Sequence, residues 1–94
     1  MSTLHLINRS PFSTNILQEL AAGVSQDDHV LLVEDGVYAA SGTLLHALPE
    51  GIELWALEED CVSRGVTSSD TSKMVDMAGF VALTATTHRT VSWF

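Results

Sequence analysis

Apolar and polar positions along this chain alternate in blocks that read as strand, helix, strand, helix. Leu4 to Ile7 is a short apolar run containing His5 and predicts a first strand. Ser10 is placed to cap a helix whose first position is Pro11, where proline loses no needed N–H. Phe12, Ile16 and Leu20 then recur at i, i+4 and i+8 as one apolar stripe, and Gly23 is a stop signal. Ser25-Gln26-Asp27-Asp28 forms a polar turn. It leads into the stretch around which the rest is organised, His29 to Tyr38. Val30 to Val33 is unbroken apolar, the pattern of a strand covered on both faces in a parallel sheet. The chain turns acidic at Glu34-Asp35 and bends at Gly36, and Val37 to Ala40 predicts a short helix.

Leu44, Leu45, Ala47 and Leu48 form a weakly patterned apolar segment before the turn Pro49-Glu50-Gly51. Ile52 to Leu57, with Trp55, predicts a third strand. Glu58-Glu59-Asp60 places three carboxylates in the first turn of a helix, at the positive end of its dipole. Leu57, Cys61 and Val62 are its expected inward face, with Arg64 in the last turn and Gly65 as the stop. Val66 to Lys73 is Ser/Thr-rich and reads as a loop, Met74-Val75 as a short fourth strand. Asp76 is a cap for a helix with Phe80, Val81 and Thr84 on one side, and Thr90 to Phe94 is a last strand. The alternation predicts an α/β fold, a small mostly parallel sheet flanked by helices with right-handed crossovers. Residues 1–94 form one domain, near the lower end of comfortable size.

Charge narrows the function. Four Lys and Arg face twelve Asp and Glu, a formal charge of −8, while 46% of residues are hydrophobic. That combination points to an acidic outer surface plus apolar surface reserved for another subunit. Direct nucleic-acid binding is disfavoured, because phosphate contact needs clustered positive charge. No apolar run approaches the roughly 20 residues that cross a bilayer. Met1 to His5 lacks the basic and apolar regions of a signal peptide. One cysteine allows no internal disulfide. The expectation is a soluble, cytoplasmic chain.

Chemistry-bearing residues are few. Cys61 is the candidate nucleophile, but an active thiol needs nearby cations or a helix N-terminus, and three acidic residues precede it. Its spacing from Leu57 puts it on the apolar face, so a buried structural cysteine is the better reading. His5, His29, His46 and His88 show no metal-ligand spacing, so no metal or other cofactor is expected. His5 and His29, at strand edges, read as hydrogen-bonded structural residues. Glu34-Asp35-Gly36 at a strand end is a place for acid–base work or a metal. The favoured reading is an acidic turn in which Glu34 or Asp35 caps backbone N–H groups. Ser10 has no G-x-S-x-G context. Trp93-Phe94 either seals the core or anchors a partner.

Several segments together resemble the DsrH/TusB family. They are Leu4 to Phe12 with Asn8-Arg9-Ser10-Pro11, Glu34 to Ala40, Ala56-Leu57 with Asp60 and Arg64-Gly65, Asp76 with Phe80-Val81 and Leu83-Thr84, and the Trp93 ending. The resemblance spans nearly the whole chain in one register, and its first two motifs are the specific ones. It implies a small α/β fold of the DsrE/DsrF/DsrH kind and a subunit of a heterohexamer holding two copies each of three related chains. In the TusBCD form that complex passes persulfide sulfur toward the 2-thiouridine of tRNA wobble positions. In the DsrEFH form of sulfur-oxidising bacteria it carries sulfur in dissimilatory metabolism. In both, the main sulfur-carrying cysteine belongs to the TusD-like or DsrE-like subunit.

Members from the sulfur oxidisers carry a cysteine late in the first helix, where this chain has Leu20, and relatives have an apolar residue where Cys61 stands. No relay cysteine carries over. The expectation is therefore a non-catalytic TusB-like subunit, with TusC-like and TusD-like (or DsrF-like and DsrE-like) partners. Val37, Tyr38, Trp93 and Phe94 are its expected partner-facing residues, Tyr38 because it joins apolar area to a hydroxyl. The competing readings are a sulfur carrier using Cys61, a DsrH-like subunit of a DsrEFH complex, and a stand-alone homo-oligomeric binding module.

Overall fold

A computed structural model describes residues 2–8, 22–41, 51–67 and 73–93. The helix expected from Ser10 through Leu20, the apolar segment around Leu44 to Leu48, His46, part of the Ser/Thr-rich loop and Phe94 lie outside the described residues.

Five strands form one sheet: β1 (Thr3–Ile7), β2 (His29–Leu32), β3 (Glu53–Leu57), β4 (Lys73–Val75) and β5 (Arg89–Trp93). Their spatial order is β4-β3-β2-β1-β5, and every pairing is parallel. A 3-10 segment, Glu34–Ser41, follows β2. Helix α1 (Glu58–Arg64) follows β3, and helix α2 (Met77–Thr86) joins β4 to β5. The fold expected from the alternation is the fold found.

The apolar run of β2 is buried on both sides, as its composition requires. Val30 and Leu32 enter one core with Ile7, Leu54, Ala56 and Cys61. Leu31 enters the other with Leu4, Leu57, Val75 and Leu83. Strand side chains alternate with period 2, so β2 in the middle of the sheet supplies both. Local signals end the helices as read from sequence. Gly65 takes the left-handed conformation, φ 65°, where L side chains are disfavoured. Asp76 caps α2 by accepting from the Gly79 N–H at 2.8 Å.

Two helix faces differ from expectation. Val62, expected inward on α1, is 73% exposed, and only Cys61 of that helix is buried. On α2, Val81 and Thr84 are exposed, while Phe80 and Leu83 face the sheet. A seven-residue helix rests on the sheet through a narrow line, so its next residue already turns to solvent.

A buried carboxylate ties the sheet together. Asp28, 4% exposed, accepts from the Thr3 N–H at 3.0 Å and the Ser25 N–H at 3.0 Å. It also pairs with His5 Nε2 at 2.9 Å. The far side of the His5 ring accepts from the Trp93 indole N–H at 3.0 Å. With Nδ1 accepting, neutral His5 carries its proton on Nε2, and that N–H points at Asp28. A matching pair lies further along the sheet, where the Trp55 indole donates to His29 Nδ1 at 3.1 Å. Both strand histidines are thus hydrogen-bonded, as expected. Burial pushes the Asp28 carboxyl up. The hydrogen bond from His5 and those from Ser25 and Thr3 outweigh it, so the group titrates below its ordinary value.

The 3-10 segment crosses the end of β1 at contact distance. A Cβ on Gly36 would sit 2.2 Å from the Ile7 carbonyl oxygen, so only glycine fits there. That contact lets Val37 reach the core, where it is fully buried.

Two outcomes follow from this packing. The folded Asp28 carboxyl titrates below its unfolded value of about 3.9, so its contribution is complete above that pH and is lost as pH falls through the folded pKa. Asp28→Asn is expected to cost about 1.5–3 kcal/mol at pH 7 and to flatten the loss of stability below about pH 4. Urea midpoints at neutral and acid pH measure both. Gly36→Ala should cost about 2 kcal/mol or more through the backbone clash, read as a lowered thermal midpoint with the sheet signature retained.

Candidate functional site

In a parallel sheet all carboxyl ends lie on one edge, and ligands and partners of open α/β sheets meet the protein there. Here the chain leaves those ends at Asn8, Val33-Glu34, Glu58 and Asp76. β2 and β3 are neighbours, so the acidic turn after β2 and the acidic first turn of α1 are brought side by side.

The turn is built differently from expectation. Among the described residues neither the Glu34 nor the Asp35 side chain caps a backbone N–H; the Glu34 N–H itself donates to Asp60 Oδ2 at 2.7 Å. Glu34 holds φ at 50°, a left-handed conformation that costs a non-glycine residue on the order of 1 kcal/mol. Asp60 secures it from the neighbouring strand's helix. Arg64 closes the cluster, donating from Nε to Asp35 at 3.0 Å and lying 3.7 Å from Asp60. Asp60 and Arg64 are the site residues that pattern reasoning missed, because their partners lie 26 and 29 residues away.

Beside this cluster lies an open cleft of about 370 Å³. Leu6, Val33 and Leu57 form its floor, Met77 and Phe80 of α2 its wall, and Glu34 and Asp60 its acidic rim. Asn8 lies at its edge and has a buried Oδ1 without a hydrogen-bond partner among the described residues. Sequence did hold one signal for the wall: no charged residue stands between Met77 and Thr87. A second, larger hollow of about 540 Å³ opens at the amino ends of the strands. Its lining includes Asp28, whose carboxylate is already occupied.

Cys61 is 0% exposed, packed in the first core cluster on the opposite side of the sheet from the cleft. Burial, and next the charge of Asp60, push its thiol up and away from the thiolate. Among the expected partner-facing residues, Tyr38 is exposed. Val37 is not: it is fully buried and supports the segment from beneath, because the Gly36 crossing turns it inward. Trp93 is half-buried against the first core cluster, hydrogen-bonded to His5 and close against Gly23. Among the described residues no three His, Cys, Asp or Glu side chains converge as a metal site, and no helix is long and apolar enough to cross a membrane.

Comparison with known proteins places this geometry. The crystal structure of ychN from E. coli has a TM-score of 0.74 at 14% identity, covering 99% of this chain and 100% of that one. The solution structure of Tm0979 from Thermotoga maritima has a TM-score of 0.70 at 19% identity, covering 88% and 91%. At such identities the two share the fold. Sequence is more specific. Protein TusB of Yersinia pestis (strain Pestoides F) is 33% identical over 95 residues, covering 96% of this chain and 99% of the relative. A family profile described as "DsrH like protein" matches residues 9–90. With that profile spanning most of its length and TusB proteins among its relatives, the chain belongs to the DsrH family.

Proposed function

We propose that this chain is a non-catalytic subunit of a TusBCD-like sulfur-relay complex that supports 2-thiolation of the tRNA wobble uridine. The observation that carries the reading is the position of the one thiol. Cys61 is the sole cysteine, it is wholly buried, and its pKa is raised. Sulfur transfer needs an accessible thiolate, so the relay cysteine belongs to another chain. TusC-like and TusD-like partners supply it in this reading. The formal charge of −8 agrees, because it leaves tRNA contact to other components. Leu20 in place of a cysteine, together with the TusB relatives, favours this pathway over a DsrEFH complex of sulfur oxidation.

Assembly in this reading uses the exposed ring of Tyr38, held up by Val37, with half-buried Trp93 contributing, and Phe94, which lies outside the described residues, assigned to the same surface. Tyr and Trp suit such a surface because each joins a large apolar area to one polar group.

Four measurements test it. Native Cys61 should alkylate at least about a hundredfold more slowly than in urea. It should gain no sulfur atom by mass spectrometry when the purified complex receives persulfide, and Cys61→Ala should still support 2-thiouridine formation in cells. A persulfide on Cys61 that turns over with acceptor overturns the proposal. Tyr38→Ala is expected to weaken co-purification with the TusC-like and TusD-like chains by about tenfold while leaving the thermal midpoint nearly unchanged.

A further inference from the structure

The winding of the sheet leaves its two faces unequally covered. The steps from β1 to β2, β3 and β4 all run in one direction across the sheet, and the step from β4 to β5 runs back over it. Right-handed crossovers put the helices of opposite directions on opposite faces. Cys61 of α1 and Val37 of the 3-10 segment accordingly enter the first core cluster, and Leu83 of α2 enters the second. Among the described residues α2 is the one helix on that second face. Ten residues of helix span about 15 Å and are about 10 Å wide. Five strands spread over about 19 Å. Leu6, Val33, Trp55 and Phe80 stay only partly buried there, and the cleft beside the strand ends is the uncovered remainder.

The helix itself is made for a covered position. It has no charged side chain on any side, and its two polar ones, Thr84 and Thr86, donate back to the helix's own Val81 and Leu83 carbonyls; a helix this apolar belongs in a covered position. Yet Met77 is 51% and Val81 62% exposed, with Ala78, Ala82 and Ala85 alongside. The cleft and this outer helix face are continuous through Met77. The carboxylates on the border of the cleft are Glu34 and Asp60, and Arg64 lies 3.7 Å from Asp60 alone of the two, so the border is negative at Glu34.

We propose that this second face, from the cleft to the outer side of α2, docks a partner subunit through an apolar segment that carries an arginine or lysine. The inference rests on the sulfur-relay reading for the existence of a partner and adds where and by what chemistry it binds. Charge complementarity selects the occupant. The apolar part covers Leu6, Phe80 and Val81, and the cation lies over Glu34, whose carboxylate has no ion-pair partner among the described residues. A second copy of this chain is the wrong occupant. It would set one acidic border against another on chains of charge −8 each.

The test is co-expression with the TusC-like and TusD-like chains of the same genome, followed by size measurement of the purified complex. Val81→Glu and Met77→Glu add charge at exposed positions, and the melting of each isolated variant checks that its fold is kept. The expected result is at least a tenfold loss of complex for both variants, on about 1.4 kcal/mol per tenfold. Glu34→Gln is expected to weaken assembly severalfold and to reduce its salt sensitivity. Full assembly of folded Val81→Glu and Met77→Glu overturns the docking surface while leaving the relay reading intact. Self-association of the wild-type chain that these same substitutions abolish overturns the choice of occupant. No complex with the wild-type chain overturns the relay reading and this inference together.

Discussion

A single carboxylate holds three strands in register. Asp28 receives a backbone N–H from the start of β1, another from the turn before β2, and the His5 ring from the middle of β1. Through that ring it reaches Trp93 at the end of β5. A buried charge is tolerable only when its lone pairs are filled, and here each oxygen has a partner. The arrangement is stringent, because moving any of these strands would leave a charged group unsatisfied inside the protein. It fixes β1 against β2 and sets the tautomer of His5. It thereby also decides that Trp93 lies over the first core.

With the sheet fixed, the direction of winding does the rest. Three steps one way and one step back give a thickly covered face and a thinly covered one. The thick face takes Cys61 and Val37, both fully buried. The thin face takes an uncharged helix and an apolar cleft with an acidic border. A chain that buries its thiol and exposes its apolar helix is suited to assembly, and membership of the DsrH family agrees with that division.

The acidic strand end is tied together by its own contacts. Glu34 is held left-handed by Asp60, and Arg64 neutralises Asp35 and part of Asp60. The Glu34 carboxylate itself has no ion-pair partner among the described residues. What they present outward is net negative charge beside an apolar hollow, which is the chemistry of recognition.

Much of this was legible in the chain. The unbroken Val30 to Val33 run required a strand covered on both faces, and Gly65 and Asp76 marked their helix ends correctly. Cys61 read as buried, and the spread of short motifs identified the family. These features depend on period, on caps and on neighbours a few residues apart, which sequence records directly. Asp28 looked like an ordinary turn residue, Val37 and Val62 were assigned the wrong sides, and Asp60 gave no sign of its grip on Glu34. Those features rest on contacts between residues 25 to 88 positions apart, which exist only once the strands have paired. Local pattern chose the elements; the order and direction in which they crossed the sheet chose which side chains were buried and which face was left open.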